Sequence, residues 1–243
     1  MICSRDDIKQ LGTILGIWAH PDDETFVMGG IMAAAVQNGQ HVVCITATRG
    51  EKGVQDEQRW PAARLADIRT QELMAAMKVL GVHDIGWLNY PDGGCKTVGD
   101  DKAVEDIMYC IEKYRPDSIL TFGKDGLTGH DDHKAVAQWT KLAAKKCGSP
   151  AKVYTLIQTE EQYKAMRKID RKFSIYFNIN KPDTCDPADC AVCFTLDDDC
   201  YQLKLKALKA MPSQYEAMMK AYGGSMRPSL GVEAFIEASN DAK

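Results

Sequence analysis

The chain has 243 residues, of which 45% are hydrophobic and 26% are charged, a composition typical of a globular protein with a sizeable core. Its formal net charge of −4 disfavours nucleic acid and anionic membranes as partners. The N-terminus lacks the apolar core of a secretory signal, and no apolar run is long enough to span a bilayer. We therefore expect a cytoplasmic enzyme that acts on a small molecule, and a homo-oligomer is compatible with these numbers.

Strands and helices are expected to alternate along the first two thirds of the chain. Apolar runs of strand length predict buried strands, and segments with helical periodicity predict helices between them. The expected strands cover residues 13–18, 41–47, 85–88, 117–122 and 152–157, and the expected helices cover 24–37, 61–80, 102–114 and 134–146. This alternation favours an α/β fold, with a mostly parallel sheet and helices on both faces.

The C-terminal part has a less regular pattern. Past about residue 160 the sequence predicts strands near 173–177 and 191–196 and a helix over about 199–210, without a clear topology. There is no internal repeat and no obvious linker. We therefore expect a single domain over residues 1–243, with a core at about 13–160 and an extension of the same domain at about 161–243.

Four of the nine cysteines cluster in this C-terminal part, at Cys185, Cys190, Cys193 and Cys200. Such short spacings suit a structural zinc site. Residues 191–196 are a predicted strand, however, and residues three apart on a strand point to opposite faces. Free thiols in a reducing cytosol are therefore the favoured interpretation, and a structural zinc site is the alternative.

Polar side chains follow the ends of four predicted strands. His20 to Asp23 follow the first strand, Arg49 to Glu51 the second, Asp92 the third, and His130 to His133 the fourth. Right-handed crossovers place the carboxyl ends of all these strands at one edge of the sheet, where open α/β folds bind their ligands. The sequence therefore predicts a functional site at this edge.

The residue types at this edge indicate a divalent metal ion. His20 and Asp23 lie three apart on a strand-to-helix turn and can reach one cation, while His133 can supply a third ligand from the neighbouring loop. Two imidazoles and one carboxylate leave a position for water, as in catalytic zinc sites. An acidic turn alone is more often a plain helix N-terminus, which favours carboxylates. The two motifs together favour the metal.

Three further residues beside these ligands have candidate catalytic roles. Asp22 can accept a proton from water that the metal ion has acidified. His130 is spaced to stabilise an oxyanion or to act as a general acid. Asp132 can accept a hydrogen bond from an imidazole, most usefully that of His130, and keep that ring protonated.

The same residues resemble a known family. The segments Ala19-His20-Pro21-Asp22-Asp23-Glu24 and Gly126-Leu127-Thr128-Gly129-His130-Asp131-Asp132-His133 look like the two signature motifs of the LmbE-like (PIG-L) N-acetylglucosaminyl deacetylases, which include the mycothiol- and bacillithiol-pathway deacetylases. The similarity extends in register over about residues 13–140.

This resemblance implies a Rossmann-like sheet without a dinucleotide. Zinc, or alternatively iron(II), would be held by His20, Asp23 and His133. The resemblance further implies Asp22 as the general base and His130 as the oxyanion stabiliser or acid. By the same resemblance, contacts to sugar hydroxyls or to an attached anionic group would come from Glu51, Arg69 and Asp92.

The leading functional hypothesis is removal of the N-acetyl group from a GlcNAc-containing small molecule, releasing acetate and an amino sugar. An amidase that cleaves larger acyl groups from a glucosaminyl conjugate is the alternative within the hydrolases. A sugar-binding relative without catalysis is the alternative from another class. A nucleotide-binding protein is disfavoured, because no G-x-G-x-x-G motif follows the first strand.

Overall fold

The computed structural model describes residues 1–238, and their first two thirds alternate between strands and helices as predicted. Between consecutive parallel strands, one or two helices return the chain to the edge of the sheet at which the next strand begins. In chain order the elements are β1 (Ile14–Trp18), α1 (Asp23–Gln37), β2 (Val42–Thr48), α2 (Ala62–Leu80), β3 (Asp84–Tyr90), α3 (Asp100–Tyr114), β4 (Ser118–Thr121), α4 (Gly126–Gly129), α5 (Asp131–Lys146) and β5 (Lys152–Thr159).

The C-terminal part is mainly helical and returns to the sheet twice. Its elements are α6 (Glu160–Phe173), β6 (Thr184–Cys185), β7 (Val192–Thr195), α7 (Asp198–Lys209), α8 (Pro212–Tyr222), α9 (Arg227–Leu230) and β8 (Val232–Glu237). The prediction of a strand at 173–177 is wrong. The Thr159 side chain accepts a hydrogen bond from Gln162 N, and the Gln162 side chain accepts one from Thr159 N. This capping box begins a helix that extends to Phe173.

The sheet places the loops after β1 and β4 side by side. Its strand order is β3-β2-β1-β4-β5-β8-β7, and β6 pairs with β5. Strands β1 to β5 are parallel, whereas β8 runs antiparallel to both β5 and β7. The chain order reverses between β1 and β4, and open α/β sheets bind ligands at such a switch point. The predicted fold class is confirmed.

Helices cover both faces of the central strands. Helices α1, α2 and α7 pack together over one face, and α3 and α5 pack over the other. All five residues of β1 are buried, which explains why that strand is a continuous apolar run. Within residues 1–238, no helix combines the length and the apolarity that crossing a membrane requires.

A buried charged pair fastens the C-terminal part to α1. Glu233 of β8 accepts hydrogen bonds from the backbone N–H groups of Gly30 and Ile31, each at 2.7 Å. It also pairs with Lys204 of α7 at 2.7 Å, and both side chains are inaccessible to solvent. A Cβ at Gly30 would collide with the Leu196 side chain, so glycine is required for the close packing of α1 against the residue that follows β7.

Candidate metal centre and active site

The side chains of His20, Asp23 and His133 meet where β1 and β4 end. His20 Nδ1 lies 3.1 Å from His133 Nε2. Asp23 Oδ2 lies 3.5 Å from His20 Nδ1, and Asp23 Oδ1 lies 3.4 Å from His133 Nε2. Zinc–nitrogen and zinc–oxygen bonds of about 2.0–2.2 Å in a tetrahedron separate neighbouring donors by roughly 3.3–3.6 Å. The residues predicted as metal ligands are thus brought together. Each pairwise spacing suits such an ion, with His20 and His133 facing different oxygens of the Asp23 carboxylate.

Hydrogen bonds orient both imidazoles toward this common point. His133 Nδ1 lies 2.8 Å from the carbonyl oxygen of Gly126, so the ring donates from Nδ1 and leaves the lone pair of Nε2 facing His20 and Asp23. His20 Nε2 lies 3.2 Å from Asp92 and 3.3 Å from Asp132, which leaves Nδ1 as its ligand atom. Carbonyl and carboxylate partners of this kind fix the tautomers of metal-binding histidines.

Gly126 is needed for this arrangement. Its φ of +68° lies in the left-handed region, and a Cβ there would come within 2.9 Å of the His133 Cβ. Any other residue would therefore strain the turn and push the His133 ring away from its position. This explains why a glycine precedes the second histidine motif by four residues.

The charges around Asp23 favour its ionised form. Burial raises the pKa of this carboxyl, but His133 and His20 oppose that effect and hold the pKa well below its usual range. Burial also lowers the pKa of His133, to about 4, so that ring is neutral near pH 7. A carboxylate and a neutral imidazole are the forms that bind a metal ion.

Asp22 is held in a strained position next to these ligands. Its φ of +129° is outside the regions that an aspartate normally adopts, and such strain costs about 1–3 kcal/mol and tends to occur at functional sites. Its carboxylate lies 3.3 Å from the Arg69 guanidinium. Burial raises the pKa of Asp22 despite the opposing charge of Arg69, and a raised pKa improves a carboxylate as a base.

His130 is the N-cap residue of α5 and lies next to His20 and His133. Its Nδ1 accepts a hydrogen bond from Asp132 N at 3.1 Å, so the neutral ring carries its proton on Nε2. Burial lowers the pKa of His130 and favours this neutral form. Within residues 1–238 the donor atoms of His20, His130 and His133 also lie close enough to share an ion. A ring N–H cannot coordinate a metal, so in this tautomer Nε2 of His130 offers a hydrogen-bond donor.

The expected pairing of Asp132 with the His130 ring is wrong. The carboxylate of Asp132 is completely buried and accepts hydrogen bonds from Gly93 N at 2.7 Å and Cys95 N at 3.0 Å. Its imidazole partner is His20. Because Asp132 is in the first turn of α5, its side chain projects toward the loop after β3, and only its backbone N–H reaches the His130 ring.

The three predicted substrate residues lie at this edge, and they differ in how many of their polar atoms already have hydrogen-bond partners. Arg69 is 4% exposed and donates to the carbonyl oxygens of Gly50 and Pro21. Asp92 accepts from Lys52 N and faces His20. Glu51 accepts from Asp92 N through Oε1, whereas its buried Oε2 has no hydrogen-bond partner in the described part of the chain. Glu51 therefore retains a free acceptor, while Arg69 and Asp92 are largely engaged in joining loops.

Two aromatic side chains at the site were not predicted from the sequence. The Phe122 ring stacks on His133 with a centroid separation of 4.0 Å. Phe177 packs edge-on against His130 at 5.5 Å. Phe122 directly follows β4, which is a signal that could have placed it at the same edge. Phe177 comes from the segment wrongly predicted as a strand.

The four clustered cysteines of the C-terminal part lie away from this centre. Cys200 is on α7 beside Asp197, whereas the Cys190 thiol contacts those of Cys185 and Cys193. Cys190 precedes β7, so the opposite-face reasoning does not apply to it. No disulfide forms in residues 1–238, and no three of these thiols are close enough to share an ion.

The sequence is similar to a known protein family and to named deacetylases. The family model described as GlcNAc-PI de-N-acetylase (PIG-L) matches residues 15–144, which include every residue of the site described above except Phe177. A 1D-myo-inositol 2-acetamido-2-deoxy-alpha-D-glucopyranoside deacetylase from Thermobispora bispora is 31% identical, over 91% of this chain and 86% of that protein. The protein of the same name from Corynebacterium glutamicum strain R is 28% identical, over 83% of this chain and 74% of its own length.

Solved structures share the fold. The N,N'-diacetylchitobiose deacetylase from Pyrococcus horikoshii superposes with a TM-score of 0.66 at 20% identity, covering 95% of this chain and 85% of that chain. The 4-carboxy-2-hydroxymuconate hydratase GalB from Pseudomonas putida KT2440 superposes with a TM-score of 0.65 at 16% identity, covering 96% of this chain and 98% of that chain. Because a deacetylase and a hydratase share it, the fold alone does not define the reaction.

The fold is that of solved deacetylases such as the N,N'-diacetylchitobiose deacetylase. The family model covers more than half of the chain, and the Thermobispora bispora relative aligns over most of both sequences. The chain therefore belongs to the GlcNAc-PI de-N-acetylase (PIG-L) family.

Proposed function

We propose that this protein is a metal-dependent N-deacetylase that releases acetate and an amino sugar from a GlcNAc-containing small molecule. The observation that carries the proposal is the triangle of His20, Asp23 and His133, with donors 3.1–3.5 Å apart and with Asp22 and His130 beside it. Its position inside the segment that defines the family supports the same reaction. The relatives named as acetamido-glucopyranoside deacetylases support the substrate class.

The chain supplies the groups that this hydrolysis needs. A divalent ion, zinc in the first place and iron(II) as the alternative, would when bound acidify water and polarise the amide carbonyl. Asp22 takes one proton from the attacking water as its oxygen bonds to the carbonyl carbon. His130 donates its Nε2–H to the developing oxyanion. When the C–N bond breaks, Asp22 or His130 delivers a proton to the leaving amine.

The sugar is assigned to the side of the centre where Glu51 lies. Its buried Oε2 is an acceptor for a sugar hydroxyl, since a buried oxygen without a partner costs about 1–3 kcal/mol until a donor reaches it. Asp92 orients His20 from the same side. Arg69 faces the carboxylate of Asp22, and in this proposal its first task is to position that base.

A panel assay tests the proposal directly. Zinc-loaded protein is incubated with GlcNAc, its inositol and malate glycosides, and N,N'-diacetylchitobiose, and acetate and free amine are measured together. We expect equal amounts of both products from at least one substrate, loss of turnover with a chelator, and recovery with added zinc. A protein that binds the metal and a sugar but releases acetate from none of them would be a sugar-binding relative without catalysis.

A further inference from the structure

A mostly apolar cavity of about 200 Å³ opens beside the presumed metal ligands. At one end it touches Asp22, Asp23 and His133. Its other walls come from elements far apart in the chain, namely α1, α4, α6, α8, α9 and the segment after α6. The apolar side chains that these elements contribute include Phe26, Leu127, Met166, Ile175, Met218 and Leu230.

Most polar groups in the wall already have partners within the protein; Gln158 Oε1, for example, accepts from the Tyr176 hydroxyl. Gln162 accepts from Thr159 N and donates to the carbonyl oxygen of Val232. Both oxygens of Glu233 are engaged by backbone N–H groups and by Lys204. Ser229 donates to the carbonyl oxygen of Met226. A ligand in this cavity therefore gains little from polar groups, and the cavity favours a hydrocarbon.

The cavity and the proposed sugar side contact different residues. Glu51 and Asp92 belong to the loops after β2 and β3, and neither lines the cavity, nor does His130. An amide whose carbonyl lies at the His20–Asp23–His133 triangle has two substituents, the amine side and the acyl side. A sugar on the Glu51 side leaves the acyl substituent to extend into the cavity.

The volume is larger than an acetyl group needs. An engineered apolar cavity of about 150 Å³ is large enough to bind benzene, which has six carbon atoms. At about 200 Å³ this cavity can hold a chain of similar or slightly greater size. The single methyl group of an acetyl substrate would leave most of it unfilled, and a poorly filled apolar cavity forfeits packing contacts.

We propose that this cavity is an acyl-chain site, and that the enzyme hydrolyses N-acyl amino sugars with chains of about four to eight carbon atoms better than the N-acetyl compounds. The inference rests on the hydrolytic function proposed above and specifies its substrate class. Water adds to the amide carbonyl carbon and the C–N bond breaks. The products are a carboxylic acid, which ionises, and the free amino sugar.

A chain-length series on the wild-type holoenzyme tests this inference without any substitution. The substrates are N-acetyl-, N-butanoyl-, N-hexanoyl- and N-dodecanoyl-glucosamine, and kcat/KM is measured for each. We expect kcat/KM to rise by up to about fourfold per buried methylene group as far as hexanoyl, and to fall at dodecanoyl, which exceeds the cavity. Highest activity on the acetyl compound, with a steady decline thereafter, overturns the acyl-chain site and leaves the deacetylase proposal standing.

A variant that fills the cavity locates the effect. Met166→Trp replaces a flexible side chain in the wall with a larger, rigid ring system. Met74→Trp makes the same substitution on α2, at an exposed position where the side chain is 53% accessible. We expect Met166→Trp to lower the hexanoyl-to-acetyl ratio of kcat/KM by about tenfold or more. The Met74→Trp ratio should equal the wild-type ratio. An unchanged ratio in Met166→Trp contradicts the inference.

Binding of the product acids gives a readout that does not need turnover. Dissociation constants of acetate, butanoate and hexanoate are measured by calorimetry on the zinc-loaded wild type and on both variants. Hexanoate should bind more tightly than acetate to the wild type and to Met74→Trp, and this preference should be lost in Met166→Trp. Equal affinities for the two acids in the wild type contradict the acyl-chain site. This test remains valid even if the protein releases acetate from no substrate of the panel.

Discussion

The two parts of this chain contribute differently to the same site. Residues 13–160 supply the histidines and carboxylates of the centre, in loops that directly follow parallel strands. Residues 161–238 supply apolar walls and buried contacts, such as Met218 beside the cavity and Glu233 against α1. The positions of the reactive groups therefore depend on short motifs, whereas the space around them depends on contacts between distant segments.

The C-terminal part also makes contacts that lead to Asp22, the proposed base. Ser213 at the start of α8 donates its N–H and its hydroxyl to Glu72 of α2. Gln214 donates to the carbonyl oxygen of Gly53, and Gly53 lies against the Arg69 guanidinium. Arg69 in turn faces Asp22. A change in the C-terminal part is therefore expected to act on stability and specificity, and a change in the N-terminal part on the chemical step.

Replacement of the base should give the largest loss. Asp22→Asn keeps the size of the side chain but removes the proton acceptor, and loss of general base catalysis lowers kcat by roughly 10²–10⁴-fold. The metal content should stay at the wild-type level. Asp131→Asn is the matched control, since Asp131 is in the same family segment but points outward to Lys96. An unchanged kcat in Asp22→Asn would remove Asp22 as the base.

Breaking the buried pair tests the supporting role of the C-terminal part. Lys204→Met leaves Glu233 charged and without its cation, which costs about 3–5 kcal/mol of stability. In a chain of this size the midpoint of thermal unfolding should fall by on the order of 10 °C. The control is Lys206→Met, an exposed lysine on the same helix. If both variants melt at the same temperature, the pair does not hold the C-terminal part in place.

Removing the hydrogen-bond donor should affect the transition state alone. His130→Phe keeps a ring against Phe177 but lacks Nε2–H, and the loss of one oxyanion donor lowers kcat by roughly 10²–10³-fold. Since we assign His130 as a donor, bound metal should remain. Metal analysis of the purified variant checks this assignment, and a protein that has lost its ion would make His130 a ligand.

Arg69→Met distinguishes two roles within the N-terminal part. The resemblance implies a substrate contact, which predicts a raised KM. The buried position of Arg69 beside Asp22 instead favours a positioning role, and we expect kcat to fall about tenfold with KM little changed. The two constants are measured with the best substrate of the panel. A raised KM at constant kcat would instead indicate that Arg69 contacts the substrate directly.

The sequence predicted the central sheet and the cluster of polar side chains at its edge, because both depend on local patterns. Buried parallel strands are continuous apolar runs, and their ends mark where polar side chains collect. His20, Asp23 and His133 met as expected once β1 and β4 were neighbours. The partner of Asp132 could not be predicted, because it depends on which way a side chain projects from the first turn of α5.

The C-terminal part was poorly predicted for a physical reason. Helix α6 begins at a capping box formed by Thr159 and Gln162. The segment after it reaches the site through Phe177, which stays half exposed, and it does not form a strand. Helices α8 and α9 and strand β8 are short, and they are stabilised by tertiary contacts such as Glu72 with Ser213. Short elements held by distant contacts leave little periodicity in the sequence. The cavity that they enclose is not visible in any single segment.

The metal content of purified protein tests the central claim most directly. Elemental analysis is carried out on the wild type, on His20→Ala and on Asp22→Asn after the same purification. We predict about one divalent ion per chain in the wild type and in Asp22→Asn, because a single three-ligand centre binds a single ion, and little metal in His20→Ala. Full metal occupancy in His20→Ala would contradict the assignment of His20, Asp23 and His133 as the centre.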